Sequence, residues 1–336
     1  MSNNSMWYSP QQILSHNCLF NFVVGNRGGG KTMSFKMWAV KDFLKTGKQF
    51  VYVRRYKSEL KKNMLQKFFD ALKNAGYFQD VEFKTKGHTF YINGKVCGYA
   101  VALSTALTIK SEEFPHVNKI CFDEFVIDKG HLRYLSNEVT SFLEMYESIA
   151  RSRDDVRVMF LSNAVSVVNP YFTFWNMKPN PSKRFSKYGN LIVEFYKNDE
   201  YVKMKKETRF GQIIDGTKYG DYAIENKFLK DNDNFIEKRD NKARFQFSIV
   251  FNGVEYGFWY NAQKGLMYAC MELDPSNPYT YCLTNEDHAV NMILVKSSNK
   301  SPYLKQMRLA YEVGQMRFSD MTVKSIVQDI MITLSR

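Results

Sequence analysis

Residues 25–32, Gly25-Asn26-Arg27-Gly28-Gly29-Gly30-Lys31-Thr32, carry the spacing G-x-x-x-x-G-K-[ST]. Between a strand and a helix, that pattern grips nucleotide phosphates. Gly25, Gly28, Gly29 and Gly30 let backbone N–H groups, that of Arg27 included, turn inward around phosphate oxygens without a side-chain clash. Lys31 reaches the β and γ oxygens as a mobile point charge. Thr32, on the first turn of the helix, offers its hydroxyl to Mg²⁺, and the helix N-terminus adds a favourable dipole. The implied ligands are ATP and Mg²⁺.

A phosphate loop calls for an acid at the end of a later strand, and Lys119-Ile120-Cys121-Phe122-Asp123-Glu124 supplies two. Asp123 can hold magnesium through water, and Glu124 can polarise the attacking water. Phosphoryl transfer needs little beyond such positioning and charge stabilisation. The adjacent pair suits a hydrolase better than a kinase, which would want an acceptor site. Read alone, the pair is also compatible with a surface turn after a buried strand. Asn163, preceded by Ser162 at the tip of an apolar run, can sense the γ-phosphate or close its strand with an Asx turn.

Arg151, Arg153 and Arg157 follow a helical stretch. One of them could offer a planar charge to the transition state of a neighbouring subunit, or the three could complement a helix C-terminus. Arg54-Arg55, before Tyr56-Lys57, could contact phosphates of ATP or nucleic acid, or decorate a sheet edge. Tyr8-Ser9-Pro10-Gln11-Gln12 could set an aromatic and an amide against adenine, or form an arm packed on the core.

These residues need elements to hold them. Leu19–Val24 reads as a buried parallel strand, followed by a helix with Met33, Met37, Val40 and Leu44 on one face. Gln49–Val53 is a second strand. Ser58 is placed to cap a helix carrying Leu60, Met64, Phe68 and Leu72, with Gly76 beyond its end. Asn93-Gly94 marks a hairpin turn between Thr89–Ile92 and Lys95–Ala100. Val117–Phe122 and Val156–Leu161 are further strands, separated by a helix from Ser136 to Ala150 with Val139, Phe142, Leu143 and Ile149 inward. The alternation predicts an α/β fold: a P-loop (ASCE-type) parallel sheet flanked by helices. Prolines and asparagines around Asn169-Pro170 and Pro179–Pro181 place a boundary near 175. The domains expected are 1–175, a basic linker 176–208, and an α+β C-terminal domain 209–336. That last domain has strands at Phe245–Phe251, Tyr256–Asn261 and Leu266–Ala269, and helix from about Ser301.

The totals narrow the partner. In 336 residues, 47 Lys+Arg against 34 Asp+Glu leave +13. Such an excess suits nucleic acid, or serves solubility alone. No apolar run approaches a membrane span, and Met-Ser-Asn-Asn-Ser lacks the regions of a signal peptide. Five cysteines without a CxxC pair read as reduced, mostly buried thiols of a cytosolic protein, and scattered histidines give zinc little support.

Together, Tyr52-Val53-Arg54-Arg55-Tyr56-Lys57, Phe122-Asp123-Glu124-Phe125, Leu161–Tyr171 (LSNAVSVVNPY), Thr208–Gly216 (TRFGQIIDG) and Phe235–Arg239 (FIEKR) resemble the genome-packaging ATPase, a terminase-like encapsidation motor, of small podoviruses with protein-primed linear DNA. The likeness runs over nearly the whole chain. It implies a homo-pentameric ring on the portal of an empty phage head in the host cytoplasm, hydrolysing ATP to move double-stranded DNA inward. Matched by position, Lys31 and Thr32 take the phosphate-loop roles, Asp123 the magnesium, Glu124 the catalytic role and Arg151 the trans-acting arginine finger. Lys110 matches a second basic residue at the subunit interface. The resemblance also implies a C-terminal domain like a vestigial RNase-H-like nuclease. Some members dock a structural packaging RNA. Arg27-Gly28-Gly29-Gly30 is richer in glycine than the family pattern, which bears on the loop's stiffness.

Two other classes compete: a phosphate-loop kinase or nucleotide switch not coupled to DNA movement, and a terminase-type nuclease. A nuclease needs acids converging on metal ions, and no spacing among Asp215, Asp221, Glu237, Glu255 and Asp274 singles out a set.

Overall fold

The computed structural model describes residues 7–109, 112–127, 134–135, 137–163, 169–224, 234–274, 276, 279–295 and 301–334. The chain divides into two compact units, residues 1–230 and 231–336.

In chain order the first unit has α1 (Gln11–Ser15), β1 (Phe20–Gly25), α2 (Lys31–Thr46), β2 (Gln49–Arg54), α3 (Lys62–Gln66), α4 (Asp70–Asn74), β3 (Phe83–Lys86), β4 (Thr89–Ile92), β5 (Lys95–Ala102), β6 (Val117–Asp123), α5 (Glu138–Ala150), β7 (Arg157–Asn163), α6 (Pro170–Phe174), β8 (Phe185–Tyr188), β9 (Leu191–Tyr196), α7 (Asp199–Glu207), α8 (Arg209–Ile214) and α9 (Lys218–Ala223). The described strands form a nine-stranded sheet in the order β3-β4-β5-β2-β6-β7-β1-β9-β8. Strands β5, β2, β6, β7, β1 and β9 are parallel. Antiparallel pairs extend both edges. β7 lies between the phosphate-loop strand β1 and the acid-bearing strand β6, which is the additional strand of the ASCE expectation.

Successive residues of β1 serve opposite faces, as a period of two requires. Phe22 and Val24 join Phe122, Phe142, Phe160 and Tyr171 on one face, while Val23 joins Phe35, Val40, Phe50 and Leu161 on the other. Phe22 stacks on Phe160 with ring centroids 4.2 Å apart. Truncating such a buried ring to alanine costs about 3–5 kcal/mol.

Two local expectations shift. In α2 the buried face is Phe35, Ala39, Val40 and Phe43, and Leu44 is 45% exposed. Burying two phenyl rings removes more apolar area from water than burying methionines, so Met33 and Met37 pack at the margin. The helix expected after Ser58 is instead a 3-10 turn at Lys57–Glu59, followed by α3 and α4. The Glu59 carboxylate accepts from the Tyr56 N–H at 2.8 Å and from Arg54, which fixes the turn before a longer helix can begin. The hairpin turn is as expected, with Asn93 and Gly94 both at positive φ.

The domain boundaries fall elsewhere. β8 and β9 lie beyond residue 175, yet β9 pairs in parallel with β1 along its length. The segment expected as a basic linker is therefore sheet edge and α7, and residues 209–224 form α8 and α9 of the same unit. Ladder hydrogen bonds to β1 outweigh the proline-rich break. Arg184 in this segment donates to the buried Glu194 carboxylate at 2.9 Å, and Lys206 pairs with Asp215 at 3.5 Å. Lys183 and Lys203 are exposed.

The second unit has β10 (Arg244–Phe251), β11 (Val254–Asn261), β12 (Leu266–Cys270), β13 (Thr280–Cys282), β14 (Met292–Leu294), α10 (Pro302–Glu312), β15 (Met316–Phe318) and α11 (Met321–Leu334). Its described strands run in the order β14-β13-β10-β11-β12-β15. β10, β11 and β12 are antiparallel, whereas β13 runs parallel to β10, β14 to β13 and β15 to β12. Phe247, Ile249, Phe258 and Met267 of the sheet pack with Leu304 and Met307 of α10 and Val323, Val327 and Ile330 of α11. Ser301 caps α10. All five cysteines are buried and free.

Candidate active site

β1 ends at Gly25, and the chain crosses to α2 through a loop whose glycines answer separate constraints. Gly28 and Gly30 hold φ of 77° and 83°, a left-handed conformation that glycine adopts without penalty. A Cβ on Gly28 would stand 2.7 Å from the Tyr201 hydroxyl, and one on Gly25 would stand 2.7 Å from the Tyr196 carbonyl oxygen. Gly29 is the least constrained, since its Cβ would first meet Asn26 O at 3.3 Å. Of the two glycines that the signature leaves free, Gly28 answers a backbone demand and Gly29 does not.

The loop is held from outside by residues the motif does not include. Tyr201 Oη of α7 donates to Arg27 O at 2.7 Å, and Asn26 Nδ2 donates to Ile224 O at 2.7 Å. The Tyr8 N–H donates to Gly29 O at 3.0 Å. Tyr8 itself is buried, with its ring edge-on to Tyr196 and its hydroxyl donating to Glu194 at 2.9 Å. The N-terminal arm is therefore packed on the core, and Tyr8 is committed there instead of to adenine. Gln11 and Gln12 are exposed on α1.

Lys31 is buried, and its ammonium donates to Gly25 O at 2.9 Å, Asn26 O at 2.6 Å and Asn163 Oδ1 at 3.4 Å. Burial pulls its pKa down to about 7, with the nearby Asp123 carboxylate acting in the opposite sense. Register brings Asn163 there: Gly25 and Asn163 are partners at the ends of β1 and β7. Thr32 Oγ1 donates towards Asp123, 3.1 Å from each carboxylate oxygen. A hydroxyl and a carboxylate side by side are hard oxygen donors, which fits Mg²⁺ bound through one carboxylate, water and substrate phosphates.

Asp123 ends β6, where Tyr52 Oη donates to its Oδ2 at 2.9 Å. Glu124 follows in the left-handed region at φ 61°, a strained position for a side-chain-bearing residue. Its carboxyl is 56% exposed and turned to Arg54, whose Nη2 stands 2.6 Å from Glu124 Oε2 and 2.6 Å from Glu59 Oε1. Arg54 Nη1 is 3.8 Å from Asp123.

Arg55 turns the other way. It is 2% exposed, pairs through Nε and Nη2 with both oxygens of Glu138, and donates to Glu124 O at 3.1 Å and Phe125 O at 2.6 Å. Tyr171 and the Leu135 N–H complete the shell of Glu138 at 2.9 Å each. Neither arginine is a sheet-edge decoration: Arg54 faces the acids, and Arg55 props the backbone behind them. Sequence reasoning missed Tyr52 and Arg54 as partners of the acids, and Glu59 and Glu138 as partners of the two arginines. The available signal was alternation in β2, which puts Tyr52 and Arg54 on one face. That signal becomes usable only with β2 beside β6, where Val53 pairs with Phe122.

Arg151 lies at the opposite end of the central strands, ahead of the start of β7. α5 begins at Glu138 beside Arg55 and runs back for 13 residues, a span of about 20 Å. Arg151 follows it, before β7 starts towards Asn163. Its side chain is 58% exposed and 3.7 Å from Glu113. Arg153 donates to five backbone carbonyl oxygens, and Arg157 donates to Leu14 O and Asn17. Two of the three candidate arginines are thus committed to the fold. Lys110 lies outside the described residues.

The acids weighed for nuclease chemistry are divided between the two units. Asp215 and Asp221 are in the first unit. In the second, Glu237 meets Tyr268 and Arg317, Glu255 accepts from Ser248, and Asp274 caps Ser276. Among the described residues no group of three His, Cys, Asp or Glu side chains is placed to hold a metal, and no helix is long and apolar enough to cross a membrane.

Comparison with known proteins gives a consistent set of relatives. The family model described as Podovirus DNA encapsidation protein (Gp16) matches residues 2–335. The chain is 40% identical over 328 residues to the DNA packaging protein of Bacillus phage phi29, covering 98% of each. It is also 40% identical over 314 residues to the DNA packaging protein of Bacillus phage B103, covering 94% of this chain and 97% of that one. Among solved structures, a chain of the bacteriophage Phi-29 viral genome packaging motor assembly matches with TM-score 0.78 and 40% identity, covering 98% of this chain and 100% of that one.

Proposed function

Because this chain belongs to the podovirus DNA encapsidation protein family, we propose that it is an ATP-hydrolysing motor that translocates double-stranded DNA into a phage prohead. The observation that carries the reading is one convergence at the C-terminal ends of β1, β7 and β6: Lys31, Thr32 and Asn163 at the phosphate loop, with Asp123 and Glu124 ending the acid strand.

Loop amides and Lys31 hold the β and γ phosphates, and Asn163, already on Lys31, touches the γ end. Thr32 and Asp123 hold Mg²⁺, which when bound neutralises phosphate charge. Glu124 orients the attacking water and takes up its proton, with Arg54 fixing the carboxylate. Charge stabilisation of this kind supplies most of phosphoryl-transfer catalysis. Arg151 follows the far end of α5, about 20 Å of helix away from Glu138 beside Arg55, which supports an action outside its own loop. It acts on the loop of a neighbouring subunit, which requires a homo-oligomeric ring, by resemblance a pentamer at the portal vertex in the host.

The second unit has its first three strands antiparallel and the next two parallel to the first, which supports an RNase-H-like ancestry. For this unit we propose a role in docking DNA, packaging RNA or portal instead of cleavage.

ATP hydrolysis by the purified protein on proheads, with and without double-stranded DNA, tests the reading. Stimulation by DNA is expected. Hydrolysis indifferent to DNA but dependent on a small acceptor would favour a phosphate-loop kinase, and metal-dependent DNA cutting would favour a nuclease.

A further inference from the structure

Arg151 holds a backbone conformation its residue type disfavours. Its φ of 51° and ψ of −124° lie in a region that costs a non-glycine residue about 1–3 kcal/mol and persists only where the surroundings over-determine it. Two contacts do so here. The Arg151 N–H donates to Glu147 O at 2.7 Å, closing α5. Two residues on, the Arg153 guanidinium reaches Val117 O at 2.6 Å, Ile149 O at 2.7 Å, Phe114 O at 2.9 Å, and Ala150 O and Pro115 O at 3.3 Å each. Asp155 lies 3.8 Å from its Nη1.

Those carbonyls form two groups. Ile149 and Ala150 end the helix directly before Arg151. Phe114, Pro115 and Val117 belong to the segment that follows Glu113, whose carboxylate is 3.7 Å from Arg151. One planar, five-donor side chain therefore ties the turn carrying Arg151 to the segment carrying its resting partner. Lysine, with three donors on a flexible stem, cannot reproduce that fork.

We infer that Arg153 is a positioning residue for Arg151, holding residues 150–153 against 114–117 so that the Arg151 side chain projects from the surface in one orientation. The inference rests on the proposed trans role of Arg151. Its consequence is kinetic, because a misplacement of about 1 Å in a charge that stabilises a transition state costs about a hundredfold in rate.

The test uses full-length protein assembled on proheads with DNA. Arg153→Lys is expected to bind ATP with unchanged Kd and to lower kcat about 10–100-fold. Arg153→Gln, which keeps a planar donor, is a second variant judged the same way should lysine impair folding. Mixed assemblies then assign the defect. Arg153→Lys subunits mixed with Glu124→Gln subunits should recover hydrolysis, since one supplies the acid and the other a well-placed finger. Mixed with Arg151→Ala subunits they should not, since both lack it. An unchanged kcat, or recovery with Arg151→Ala, overturns the inference. Arg151→Ala with Glu124→Gln is the control: its failure to recover removes the trans role itself, whereas recovery in the control without recovery by Arg153→Lys removes only the part assigned to Arg153.

Discussion

Arg54 Nη2 stands 2.6 Å from Glu124 Oε2, and the same nitrogen stands 2.6 Å from Glu59 Oε1. The guanidinium at the end of β2 thus bridges Glu124, the acid proposed to activate water, and the turn that follows β2. Arg54 is mostly buried, and the charges around it hold it firmly protonated.

Arg54→Gln is expected to lower kcat about tenfold or more with little change in KM, because the Glu124 carboxylate loses its orienting partner. Glu124→Gln should bind ATP and fail to hydrolyse it. Steady-state kinetics beside ATP-binding isotherms separate the two. Wild-type kcat in Arg54→Gln would make the bridge incidental.

Lys31 gives a pH dependence with a definite sign. Its pKa, about 7 against an ordinary 10.5, means that the folded chain binds fewer protons than the unfolded one between those values. For this group, stability rises with pH across that window. Nucleotide phosphates favour the ammonium and raise the pKa again. ATP binding at pH 8 should therefore take up close to one proton, and affinity should fall as pH rises above about 7. Calorimetry in buffers of different ionisation enthalpy measures the uptake, and zero uptake at pH 8 would mean that Lys31 is already charged in the free loop.

Glu138→Ala strands the buried Arg55 guanidinium, which then keeps only carbonyl partners. Loss of one member of a buried pair costs about 3–5 kcal/mol, so denaturant midpoints should fall sharply. Replacing both residues with apolar ones of similar volume should cost much less, and equal losses in the two variants would contradict the pairing account.

Arg151→Gly should stabilise the fold while abolishing hydrolysis. Glycine relieves the positive-φ strain, worth about 1 kcal/mol after its own entropy loss, or about 2–4 °C in Tm for a unit of this size. A lowered Tm would show that the Arg151 side chain contributes to the fold instead of standing in it at a cost.

Local pattern settled what is local in its physics. The phosphate loop was legible because backbone curvature around an anion demands glycine, lysine and a hydroxyl at fixed offsets, whatever the rest of the chain does. The strands up to Asp123 and Asn163 were legible because burial on both faces needs continuous apolar runs.

The tertiary structure decided which distant residues meet. That Arg54 faces Glu124 follows from β2 lying beside β6, and that Asn163 reaches Lys31 follows from β7 inserting between β6 and β1. Arg151, Arg153 and Arg157 are the same residue type within seven positions, and only their acceptors separate them. The boundary near 175 failed for the same reason: Pro179 and Pro181 announce a break in local structure, but whether the chain then leaves the sheet depends on the open edge of β1, where β9 docks. Strand order carries no local period, so it becomes visible only when the sheet is assembled.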